Sequence, residues 1–219
     1  PAPVSVFLSG IVGLMISPEK SLATLPTALM IIGTATFSFF AARIMYTIGR
    51  KIGFIFATIL SSFSALLAAY SISNNNFYLF CISCFFLGNG MSFTHQYRFA
   101  AAECVKKKFI PKVLSMVMLA TIFSALLGPN IANYSKSLIA NNLYTGSYIA
   151  LAFLTIIPFF FLVFYQPNLK KNIINKNEGR SYLSLLTQPK FQQAIISAAF
   201  AYAVMSFLMT AVIKKDMTA

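Results

Sequence analysis

Seven apolar runs separated by short polar stretches fill this chain, and six of them are long enough to cross a lipid bilayer. A helix needs about 20 apolar residues to span the roughly 30 Å hydrocarbon core. The complete runs cover about Leu22–Ala42, Ile52–Ile72, Phe77–Cys104, Val113–Asn133, Tyr144–Tyr165 and Phe191–Ile213. A shorter one, Val4–Ile16, ends at Ser17-Pro18. Inside lipid no water can satisfy backbone N–H and C=O groups, so only helices and closed barrels cross it. These runs are too continuous for the alternating pattern of barrel strands. The prediction is an all-α, polytopic membrane helix bundle of about six full transmembrane helices plus a partial first one. Pro1 stands where a Met would start a chain, and the opening run has neither the basic start nor the cleavage site of a signal peptide. The expectation is a fragment that begins within its first transmembrane helix.

Charge supports this class. Only 10% of residues are charged and the mean hydropathy is +0.76, whereas a soluble domain carries about 25% charged residues. A net charge of +13 would suggest nucleic acid in a soluble protein. Here the cations sort by loop, so no nucleic-acid partner is expected. Alternate connections hold Arg43, Arg50 and Lys51, then Lys106, Lys107, Lys108 and Lys112, then Lys170, Lys171, Lys176, Arg180 and Lys190. The other connections, before the C-terminus, hold only Lys20 and Lys136. By the positive-inside rule the first set is cytoplasmic and the Asn74–Asn76 connection external, in a bacterial inner membrane. There are 23 Phe and no Trp, so any interfacial aromatic belt rests on Tyr and Phe.

The longest connection divides the chain into three parts. Residues 1–165 form an N-terminal transmembrane bundle, 166–190 a cytoplasmic inter-half loop, and 191–219 a first helix of a second half with a short tail. Within the loop Ser181–Leu186 (SYLSLL) could lie as an interfacial helix, and Pro189 suits the first turn of the last span.

Between the second and third spans lies AARIMYTIGRKIGF. Gly49 permits a tight turn there, and Arg50 and Lys51 hold it at the membrane surface. The fourth span contains GNGMSFTHQYRFAAAECV and the fifth FSALLGPNIA, in which Gly128 and Pro129 are candidates for close helix packing and a kink. Together these resemble the major facilitator superfamily. The first resembles its loop signature G-x-x-x-D-R-x-G-R-R/K, with Gly49, Arg50 and Lys51 matching, and Ala42, Tyr46 and Thr47 departing from it. The fifth-span segment is similar to the antiporter-type G-x-x-x-G-P-x-x-G, with Ser124 and Ala132 in the outer glycine positions. The family has twelve spans in two halves, so the resemblance implies a secondary transporter of a small solute working by alternating access, with its C-terminal half missing. The alternative is a truncated, non-transporting product or a small membrane-embedded partner or sensor protein.

Polar side chains within a span are costly, and each is a functional candidate. At about 100° per residue, Asn89, Gln96 and Glu103 share one face of the fourth span with Ser92, bordered by His95 and Arg98. Asn89, Ser92, His95, Gln96 and Arg98 are the candidates for a substrate pathway, and the resemblance implies a fourth helix lining a central cavity. Phe86, Leu87, Gly90, Phe93, Tyr97 and Ala101 form the apolar arc expected to meet lipid. Glu103 is the candidate for a cytoplasmic ion pair with Arg50 or Arg43, since a carboxylate among those basic clusters needs a cationic partner. The resemblance implies the same pairing. Coupling to a proton would fall to His95, the sole histidine, or to the missing half.

Cys81 and Cys84 form C-x-x-C but sit among Phe80, Ile82, Phe85 and Phe86 with no second ligand pair nearby, so packing is the expected role. No phosphate loop, dinucleotide fingerprint, nucleophile with its base, or metal-ligand cluster is present in the sequence. No enzyme activity, catalytic residue, metal or cofactor is expected.

Overall fold

The computed structural model describes residues 2–136, 143–164 and 187–216. Among the described residues the long elements are seven α-helices: α1 (Ala2–Ile16), α2 (Leu25–Thr47), α3 (Arg50–Ser73), α4 (Phe77–Glu103), α5 (Ile110–Ser135), α6 (Thr145–Phe164) and α7 (Pro189–Asp216). Two compact units result, Pro1–Pro167 with α1 to α6 and Asn168–Ala219 with α7. Among the described residues five helices, α2 to α6, are long and apolar enough to cross a membrane, and α1 is a shorter apolar helix. The chain is a multi-pass membrane protein. The proposed SYLSLL helix lies outside the described residues.

Helix ends follow local chemistry. α2 runs to Thr47, not to Ala42, where its apolar run ends. Arg43 and its neighbours extend the backbone hydrogen bonding beyond the apolar run, because a charged side chain does not by itself interrupt a helix. Gly49 joins α2 to α3 with φ +101°, a conformation that side chains with a Cβ rarely adopt. Asn76 caps α4, its side-chain oxygen accepting from the Leu79 N–H at 3.1 Å. Such caps satisfy N–H groups that the helix cannot pair itself.

In the first unit α4 lies against both α2 and α3, α3 packs broadly on α6, and α1 sits between α2 and α5. Close approach is written in small residues. The buried face of α3 includes Ala57, Ser61, Ser64, Ala65, Ala68 and Ser71. Where α2 crosses α4, a Cβ on Gly33 would fall 2.1 Å from the Phe85 carbonyl oxygen, and one on Gly88 would fall 2.5 Å from that of Met30. Between apolar helices in lipid, contact of this kind supplies the packing that hydrophobicity cannot. Larger side chains fill the remaining centre: Leu8, Val12, Met30, Phe80 and Tyr148 in one cluster, and Phe54, Phe93 and Leu162 in another.

Candidate functional site

The polar residues of α4 divide into three groups along its length. Nearest the middle, Asn89 is fully buried. Its Nδ2 donates to the Ala57 carbonyl at 3.2 Å and lies 3.5 Å from Ser61 Oγ, both on α3. Ser92, equally buried, donates to Ser38 Oγ of α2 at 3.1 Å. Both side chains therefore join α4 to its neighbours. Beside them a cavity of about 20 Å³ is lined by Ser5, Ser61, Leu87, Gly90, Met91, Leu151 and Thr155. That is room for one water molecule and no more.

One turn on, His95, Gln96 and Arg98 are half-buried. Arg98 Nη2 lies 3.4 Å from His95 Nδ1, as their three-residue spacing allows. These are the most accessible of the five pathway candidates.

At the end of α4, Arg50 Nη2 donates to Glu103 Oε1 at 2.5 Å. Lys51, the next residue, donates from Nζ to the Val163 carbonyl at 2.7 Å. The α2–α3 turn, opened by Gly49, thus sends one cation to the end of α4 and the other to the end of α6. The last carbonyls of a helix have no partner within it, and a lysine there satisfies one of them. The link to Val163 has no signature in the sequence, since a backbone carbonyl accepts whatever its side chain.

On α5, Gly128 and Ala132 are buried, with Ser135 one turn further. A Cβ on Gly128 would lie 2.7 Å from Val4 Cγ2 of α1. Pro129 stands inside the helix, and Asn130 donates to the Leu126 carbonyl at 3.0 Å.

The expected lipid arc of α4 is only partly outward. Phe86 is exposed, but Phe93 and Leu87 are buried, and Tyr97 stacks on Phe54 with ring centroids 4.4 Å apart. The reason is that α4 has a neighbour on each side. α3 takes the face of Asn89, Phe93 and Tyr97, and α2 takes that of Gly88 and Ser92, so burial extends well beyond the polar stripe. Cys81 and Cys84 are buried free thiols and Cys104 is exposed. Among the described residues no group of three or more His, Cys, Asp or Glu could hold a metal ion.

The sequence model of the Major Facilitator Superfamily matches residues 4–217. The chain belongs to the major facilitator superfamily. It is 28% identical over 213 residues to the riboflavin transporter RfnT of Brucella anthropi, a match covering 95% of this chain and 53% of that protein. It is 25% identical over 115 residues to YddS of Bacillus subtilis, an uncharacterized MFS-type transporter, covering 52% of this chain and 26% of that protein. The chain thus spans about half the length of the Brucella relative. No solved structure matches.

Proposed function

We propose that this chain is a helical unit of a secondary transporter that moves a small organic solute across a membrane by alternating access. The observation that carries the reading is the family match over nearly the whole chain, together with the 95% coverage by a relative that transports riboflavin. Riboflavin, or a planar heteroaromatic solute like it, is therefore the first candidate. Alternating access in such proteins is rocking of one helical unit against another around a fixed site. A unit that rocks must move as one body, and the Arg50–Glu103 and Lys51–Val163 links tie α3, α4 and α6 at one end.

His95, Gln96 and Arg98 are the pathway residues of this proposal, being half-buried and polar within a span. Asn89 and Ser92 support them from behind by fixing α4 on α3 and α2. A proton gradient is the driving force to test first, with His95 as the titrating group in this chain. The end of the bundle bearing Arg50 faces the cytoplasm in this reading, on the charge asymmetry of the connections. Single cysteines replacing Lys51 and Asn75, on a cysteine-free background, then label from opposite sides of an oriented membrane.

The function is tested by uptake of labelled riboflavin and of a panel of unrelated small solutes into vesicles containing the protein, with and without an imposed pH gradient. Saturable uptake of riboflavin, lost in His95→Ala with Arg98→Gln, supports the proposal. Correctly inserted protein that transports nothing in the panel would favour a non-transporting membrane partner.

A further inference from the structure

Seven described cations gather at the end of the first unit where the α2–α3 turn meets the ends of α4 and α6: Arg43, Arg50, Lys51, Lys106, Lys107, Lys108 and Lys112. Protein acceptors take two of them. Arg50 holds Glu103, and Lys51 holds the Val163 carbonyl. Glu103 is the carboxylate that the described residues of this unit bring to that end, and Arg50 occupies it. Four exposed lysines within seven residues, Lys106 to Lys112, are left without a neutralising acid from this unit.

The turn that carries them is closed. Lys106 is extended, the Phe109 N–H donates to its carbonyl at 2.8 Å, and a single 3₁₀ turn at Lys107–Phe109 leads directly into α5. Phe109 projects from the middle of this cluster with 49% of its surface exposed, as aromatic residues do at the headgroup level of a bilayer. The first face of α5 then changes character in a definite order. Lys112, Met116, Leu119 and Phe123 follow at spacings of four, three and four residues, which puts them on one helical stripe. All four are exposed. From Lys112 to Phe123 that stripe is about 16 Å long at the rise of an α-helix, close to one leaflet of a bilayer.

A cationic head followed by an apolar track one leaflet long is complementary to an anionic amphiphile. We infer that the α4–α5 turn binds the phosphodiester headgroup of an anionic membrane phospholipid between Lys106, Lys107, Lys108 and Lys112, with Phe109 at the headgroup boundary and an acyl chain along Met116, Leu119 and Phe123. A free phosphate ion would use the lysines and leave the apolar track idle. The lipid uses both.

The test is an electron spin resonance measurement on the purified full chain in lipid nanodiscs, comparing spin-labelled phosphatidylglycerol with spin-labelled phosphatidylcholine. The expected result is a preference for phosphatidylglycerol of about fivefold, the effect of roughly one well-placed lysine near an anionic surface. It should fall to parity in the fourfold variant K106Q/K107Q/K108Q/K112Q and persist in K106R/K107R/K108R/K112R and in Lys136→Gln. Thermal unfolding of each variant verifies that the bundle is intact. Parity in the unaltered chain, or a preference that survives the glutamine variant, overturns the inference. Complete displacement of phosphatidylglycerol by millimolar inorganic phosphate overturns it too, in favour of a site for the free ion.

Discussion

Helices α4 and α5 follow one another in sequence, have 27 and 26 residues, and handle their polarity in opposite ways. α4 is the less apolar of the two, yet more than half of its most apolar stretch is buried, and none of that of α5 is. In a soluble protein the ranking would be reversed. Here the surroundings are themselves apolar, so a helix gains little from hiding Leu or Phe and much from giving Asn, Ser and Gly a neighbour. α4 carries Gly88, Asn89 and Ser92 into contact with α2 and α3. α5 offers Gly128, Ala132 and Ser135 on one narrow face and leaves Met116, Ile122, Leu126 and Leu127 exposed. What decides burial is where small and polar residues sit, not how apolar the helix is.

The sharpest way to break that contrast is to add bulk where α4 crosses α2. In Gly88→Val the first added carbon meets the Met30 carbonyl at 2.5 Å and the Thr34 nitrogen at 2.6 Å, and backbone atoms cannot swing aside. A loss of about 3 kcal/mol is expected, at the upper end for overpacking, read as a collapse of the folded fraction in unfolding by mixed micelles. The matching change on α5, Gly128→Val, meets the end of the Val4 side chain at 2.7 Å. A flexible end can give way, so about 1 kcal/mol is expected, and Val4→Ala should restore most of it. Equal losses in the two variants would refute the contrast.

A subtler change removes polarity without adding much volume. Asn89→Leu deletes the bond to the Ala57 carbonyl, and interhelical bonds of this kind contribute about 0.6 kcal/mol on average and up to about 1.7. If Asn89→Leu proves stabilising, the side chain is kept for something other than packing. The Arg50–Glu103 pair, with Glu103 exposed and Arg50 partly buried, should contribute less still, about 0–1 kcal/mol in a double-mutant cycle with Arg50→Gln and Glu103→Gln. Smallest of all is Leu126→Ala on the open face of α5, where a change within about 0.5 kcal/mol is expected. A loss as large as that of Gly88→Val would mean that Leu126 lies in a packed interface.

These cases also mark how far the sequence could be read. Helix positions were legible because an apolar run of span length has so few alternatives, and every long α-helix among the described residues falls on a predicted run. The Arg50–Glu103 pairing was legible because an acid among basic clusters has a short list of partners. The faces of α4 were not. On a helical wheel Phe93 and Leu87 look like Phe86, and lipid and the interior of a bundle are equally apolar to such residues. Only the presence of helices on both sides separates them, and that is tertiary information. The Gly33–Gly88 crossing left a trace in the sequence, two glycines inside spans, but nothing there says that they meet.

The two links at the α2–α3 turn also differ in when they can form. Arg50 and Glu103 are 53 residues apart, while Lys51 and Val163 are separated by 112. A ribosome adding about 5–20 residues per second supplies the first partner within roughly ten seconds and the second several seconds later. In that interval only the link to Glu103 has both of its partners synthesised. Lys51 waits until the sixth helix is in place, so its bond to Val163 can close only after synthesis of the bundle has run to the end of α6.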